Sequence, residues 1–279
     1  MSAPVQPASF SIGSVDAQRV EDALSLMAPK WTTWSAMTLA QAGRPMRVRD
    51  VSTRLPFVSE QFVGKRLATM HSDGLVVRTD DSFRAPYQLS TLGESLSPVH
   101  HALSDWSQAH LSLGPMAEAE RVEDALRRLH LRHSTAVIQV LDAGGPMRFL
   151  HIAEEVDLDQ GFIGHRLLRL QADGLVTRTG PRHGDPYVLT DAGQALGSVY
   201  ASVEHWSEPI AVRRTSSAKA RVTAATRTNI SVPLAAEGAR TAAALRRSAA
   251  PSALFSHAPQ PQPRVPAAVT ARSAPGRGR

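Results

Sequence analysis

Three observations on the 279-residue chain predict a mainly α protein carrying small β-hairpins. A string of motifs occurs twice, the apolar residues keep helical spacing between the same interruptions in both copies, and the composition changes abruptly after residue 210. RVEDAL at Arg19 to Leu24 returns at Arg121 to Leu126, PMR at Pro45 to Arg47 returns at Pro146 to Arg148, and DGLVVRT at Asp73 to Thr79 returns as DGLVTRT at Asp173 to Thr179. Pro86-Tyr87 and Trp106-Ser107 recur at Pro186-Tyr187 and Trp206-Ser207. The offset drifts from 102 to 100 residues, which two single-residue deletions explain.

Within the first copy, apolar spacing predicts helices over Val20 to Met27 and Trp31 to Ala42, the second stopped by Gly43 and Pro45. Met46 to Val48 reads as a short strand and Asp50 to Leu55 as one or two helical turns. After the Pro56 turn, Ser59 is suited to cap a helix reaching Ser72, which Gly74 ends. Leu75 to Thr79 and Tyr87 to Ser90 read as strands around the polar tip DDSFRAP, and Thr91 caps a helix running to about Leu111. Two short helices before a two-stranded hairpin make a winged helix-turn-helix. The fold class is therefore α+β: two tandem winged helix-turn-helix domains plus a disordered basic tail.

The expected divisions are a disordered N-terminus over 1–15, a first domain over 16–112, a linker over 113–119, a second domain over 120–210 and the tail over 211–279. From Ala211 onward the tail holds twelve basic residues against Glu237 alone, so the preceding 210 residues are net acidic although the whole chain carries +6. Its Ala/Pro/Arg/Ser/Thr composition cannot bury enough apolar surface to order itself, although 234–250 is rich enough in alanine for transient helix. Three roles stay open for it: nonspecific DNA binding through counterion release, binding of an acidic protein or RNA, and a solubilising extension.

Other chemistries find little support. Cysteine is absent from the sequence, so disulfides, thiolate catalysis and sulfur-ligated zinc are excluded. No window approaches a membrane-spanning run, and the N-terminus lacks a leader pattern, so the expected location is cytoplasmic, with the nucleoid, and without a membrane partner. His101 with Asp105, and His130 with His133, lie at metal-binding spacings without a third ligand, and read better as solvated helix faces. No phosphate loop or nucleophile elbow occurs, so no enzyme activity, metal or cofactor is expected.

Pro29-Lys30-Trp31, GRPMRVRDV, SEQFVGKRLATMHSDGLVVRT, PYQLSTLGESL and the closing ALSDW, in that order, resemble the HxlR family of bacterial transcription regulators. The resemblance covers about Asp16 to Leu111 and again Glu120 to Trp206. Two departures matter: the cysteine that many members carry before the lysine-tryptophan pair is missing, and Arg132-His133 replaces that pair in the second copy. The resemblance implies double-stranded DNA as partner, with the helix after Ser59 entering the major groove. It also implies pairing through N-terminal and C-terminal helices, so the two copies are expected to form an intramolecular pseudo-dimer. Leu24, Leu103 and Trp106 would then face Leu126, Val203 and Trp206, and further homo-oligomerisation stays open.

On a helical wheel Phe62, Val63, Leu67 and Met70 share a face assigned to the core, leaving Gln61, Gly64, Lys65 and Ala68 outward. Ser59, Gln61 and Lys65 are the candidate base contacts, because glutamine pairs with adenine and lysine with guanine. Arg66 falls between core positions and is expected to pack its stem. Arg47, Arg49, Arg54 and the wing residue Arg84 are the candidate phosphate contacts. In the second copy Phe162, Ile163, Leu167 and Leu170 repeat the core face, but Gly161, Gly164, His165 and Leu168 point outward. Arg44 to Thr69 carries +4, whereas Gly145 to Arg169 carries −1. His165, Arg169, Arg182 and His183 are thus weaker candidates. The leading reading is a sequence-specific transcription regulator read mainly by the first domain. The alternative is a protein-interaction module whose winged helices dock partners while the tail holds nucleic acid.

Overall fold

The computed structural model describes residues 12–80, 82 and 84–210, so the expectations for the tail, and for most of the N-terminal segment, lie outside the described residues. After a 3-10 turn at Ile12–Ser14, the first repeat runs α1 (Ala17–Met27), α2 (Thr32–Ala42), α3 (Val48–Arg54), α4 (Glu60–Ser72), β1 (Val76–Arg78), β2 (Tyr87–Leu89), α5 (Thr91–Glu94) and α6 (Ser97–His110). The second repeats it as α7 (Glu118–Leu129), α8 (Ser134–Gly144), α9 (Phe149–Val156), α10 (Gln160–Ala172), β3 (Val176–Arg178), β4 (Tyr187–Leu189) and α11 (Asp191–Gln194), followed by α12 over 197–210. Each repeat is therefore a helix-turn-helix followed by an antiparallel wing, with Val76 opposite Leu89 and Val176 opposite Leu189.

Three expected elements differ. Met46 to Val48 is not a strand: Met46 makes a single bridge to Tyr87, as Met147 does to Tyr187, because α3 begins at Val48. The helix expected from Thr91 to Leu111 is two, with Ser90 rather than Thr91 as the cap. The Ser90 hydroxyl accepts from the Gly93 N–H and donates to the Gly74 carbonyl at 2.6 Å, tying the end of the wing to the end of α4. Trp31 precedes α2 instead of starting it, in a left-handed conformation with φ of 73°. Gly74, at φ of 78°, turns the chain from α4 into β1 where a side chain would be strained.

One apolar cluster runs through both repeats, from Val20, Leu24 and Leu103 to Leu126, Val203 and Trp206. Helix α1 packs on α8, α2 on α7, and α6 on α7. The expected tryptophans sit in this shared core, and each donates its indole N–H to the other repeat: Trp106 to the Ala192 carbonyl at 2.9 Å, Trp206 to the Leu92 carbonyl at 3.1 Å. A reciprocal pair of carboxylates joins the same faces. Glu21 accepts from the backbone N–H groups of His133 and Thr135, and Glu123 accepts from the N–H of Trp31. His133 is itself left-handed, with φ of 61°, so each repeat opens its second helix on a strained residue whose N–H is caught by the other repeat's first helix.

Candidate nucleic-acid interface

Helices α3 and α4 cross closely at Gly64, where an added Cβ would stand 3.3 Å from Val48 Cγ1. Gly64 is therefore half-buried at the helix crossing and does not belong to the outward face, contrary to the wheel assignment. Gln61, Lys65 and Ala68 are exposed along α4. Val63, Leu67 and Met70 are buried as expected, but Phe62 is 63% exposed. Phe62, in the first turn of α4, lies outside the buried stripe, which is confined to Val63, Leu67 and Met70. Burial pulls the Arg66 guanidinium below its ordinary value, against the opposing pull of Asp73 and Glu123.

Ser59 occupies the cap position of α4 in extended conformation, yet its side chain makes no capping hydrogen bond. In the second repeat the same position is Asp159, which accepts from the N–H groups of Gly161 and Phe162. The start of α10 is thus closed by a carboxylate, whereas no side chain of the described residues caps α4. A helix start with uncapped N–H groups attracts phosphate; one covered by a carboxylate repels it.

Arg47, Arg49 and Arg54 are exposed on α3 and the turn before it. The Arg47 N–H donates to Asp50 Oδ2, which fixes the turn and leaves the guanidinium to solvent. Arg84 is exposed on the wing, next to the buried Ala85. Phe57, in the turn between α3 and α4, lies tilted 5.5 Å from Trp31 and edge-on 4.9 Å from Trp34, with Lys30 Nζ 4.5 Å from the Trp31 ring. This aromatic cluster braces the turn; only the lysine-tryptophan pair gave a sequence signal for it.

The second repeat presents different chemistry on the matching surface. His165, Arg182 and His183 are exposed, but the Arg169 side chain donates from Nε to Asp173 Oδ2 at 2.7 Å. Asp173 is almost wholly buried and its carbonyl also accepts from Arg128, so Arg169 is held in a structural network. Leu168 is 67% and Leu150 54% exposed, beside exposed Glu154 and Glu155. Phe162, assigned to the core, is 41% exposed, edge-on to His133 and under the Arg166 guanidinium.

Sequence reasoning missed Glu21 and Glu123. Their signal was available: RVEDAL is identical in both copies, so a glutamate is repeated within an otherwise apolar helix face. Among the described residues there is no group of three or more side chains suited to a metal ion, and no helix is long and apolar enough to cross a membrane.

Two helices meeting at a glycine crossing, an antiparallel wing behind them and a second copy of both define a tandem winged helix-turn-helix protein. The model of the HxlR-like helix-turn-helix family matches residues 26–114 and 129–214, and the chain belongs to that family. A protein named as an uncharacterized HTH-type transcriptional regulator, YdzF of Bacillus subtilis (strain 168), is 28% identical over 92 residues, which span 32% of this chain and 84% of that protein. No solved structure matches the chain.

Proposed function

We propose that this chain is a sequence-specific DNA-binding transcription regulator in which the first repeat is the principal reader and the second is its built-in pseudo-dimer partner. Membership of the HxlR-like helix-turn-helix family supports the DNA-binding regulator. The division of labour rests on one contrast: α4 begins with an uncapped turn followed by Gln61 and Lys65, whereas α10 begins under Asp159 and continues with His165 and Leu168. Ser59, Gln61 and Lys65 would meet base edges, and Arg47, Arg49, Arg54 and Arg84 phosphates. The cross-repeat bonds of Trp106, Trp206, Glu21 and Glu123 support the pseudo-dimer, which would set the two reading helices roughly 34 Å apart, one turn of DNA.

The test is a binding titration of the full chain against duplexes selected in vitro, comparing Lys65→Ala with His165→Ala. Loss of affinity in the first variant and wild-type affinity in the second is expected. Equal losses would make both repeats readers. The exposed Leu150, Phe162 and Leu168 beside acidic residues favour a second reading for the second repeat alone, a protein-docking face.

A further inference from the structure

The pseudo-symmetry of the two repeats is also broken beside α2 and α8. In the second repeat, the side of α8 around Gln139 is covered by the N-terminal 3-10 turn. Ile12 is 2% and Val15 7% exposed there, and Gln139 Nε2 donates to the carbonyls of both, at 3.0 and 2.7 Å. The residues that should do the same for the first repeat, at the 102-residue offset, are Gly114 for Ile12 and Ala117 for Val15, and the residue in place of Gln139 is Met37. A glycine has no side chain to insert, and a methionine cannot hold the turn's carbonyls. Tyr200, fully buried on α12, is replaced at the 100-residue offset by the smaller His100 on α6.

A cavity of about 460 Å³ remains in the first repeat, within the range of small-molecule sites. Its wall includes Met37, Leu39 and Leu96, and its mouth carries Glu94 and Glu118. His100 lines it while being only 6% exposed, and its ring has no hydrogen-bond partner among the described residues. Unlike a core histidine satisfied by a carbonyl, this imidazole offers a donor and an acceptor to whatever enters. Arg44 and His101, the latter 4.0 Å from Glu118, are matched by the two mouth carboxylates, so the lining has no excess of positive charge to draw in an anion.

We infer that this cavity is a binding site for a small, uncharged, mainly apolar molecule bearing one hydroxyl or amide, which hydrogen-bonds to His100 while its apolar body packs on Met37, Leu39 and Leu96. The second repeat lacks the site because the turn that precedes the first repeat, together with Tyr200, takes the place of the ligand.

Phenol is a suitable probe, with benzoate as an anion of similar size, both titrated into the full-length protein labelled for NMR on methionine methyls and histidine rings. Phenol should shift the Met37 methyl and the His100 ring saturably and leave the Met147 methyl of the second repeat in place, with benzoate binding at least tenfold more weakly. His100→Tyr, which imports the second repeat's residue, and Met37→Trp should each weaken phenol binding at least tenfold. An unchanged Met147 signal reports that each variant has folded, and either variant alone suffices. Absence of a saturable shift in the wild type, an equal shift at Met147, benzoate binding as tightly as phenol, or undiminished binding in a folded variant would overturn the assignment.

Discussion

Glu21 in the first repeat holds one carboxylate oxygen 2.7 Å from the backbone nitrogen of His133 in the second, and the other 3.0 Å from that of Thr135. The carboxylate is 3% exposed, so it acts as a charged cap supplied across the interface to a helix whose entry residue is left-handed. Replacing Glu21 by Ala leaves the half-buried His133 N–H and the buried Thr135 N–H without an acceptor. Each orphaned donor costs about 1–3 kcal/mol, so a loss of roughly 2–6 kcal/mol is expected in urea denaturation. Glu123→Ala, at the half-buried counterpart that accepts from Trp31 alone, should cost less.

Gln61→Ala and Lys65→Ala should each weaken specific DNA binding by about 1–3 kcal/mol, with a smaller change in the nonspecific background. Titration of one selected duplex at fixed salt checks this. Wild-type binding by both variants would remove α4 from the base-reading role.

Removing residues 211–279 takes away twelve basic residues and one acidic one. Overall DNA affinity should fall and the dependence of log K on log salt should flatten, while the preferred sequence stays the same. Identical salt slopes with and without the segment would move its charge from DNA to another partner, or to none.

His100 gives the fold a pH dependence of predictable sign. Burial, helped by neighbouring His101, holds its imidazole down from 6.5 to about 4. The unfolded chain takes up a proton below pH 6.5 and the folded chain does not, so stability is fully present above that pH and is lost as pH falls toward 4. The loss reaches at most roughly 3 kcal/mol. Denaturation midpoints for wild type and His100→Tyr between pH 7 and 4 should diverge, with the variant declining less steeply.

The element order was legible because the repeat presents each pattern twice, and because turns such as Gly43-Arg44-Pro45 and Asp73-Gly74 interrupt apolar spacing without ambiguity. Burial within a helix was less so. Phe62 and Phe162 fall on the apolar arc of a wheel, but a wheel has no knowledge of where the neighbouring element stops, and both rings lie beyond it. Gly64 failed for the opposite reason: a residue without a side chain reads as outward until the α3 crossing at Val48 is known. The charge contrast between the two reading surfaces was visible by counting, whereas the capping contrast between Ser59 and Asp159 needed hydrogen-bond geometry, since both residue types are good caps. The cross-repeat carboxylates depend on a backbone conformation at Trp31 and His133 that no propensity forecasts.

The central claim is that one chain presents two unequal reading helices to DNA, and selection of binding sites from a randomised duplex library by the full chain, at fixed salt, tests it most directly. One strongly specified half-site, contacted through Gln61 and Lys65, next to a weakly specified half one helical turn away is the expected result. A perfect palindrome with two equally specified halves, bound by two chains pairing first repeat with first repeat, would contradict it.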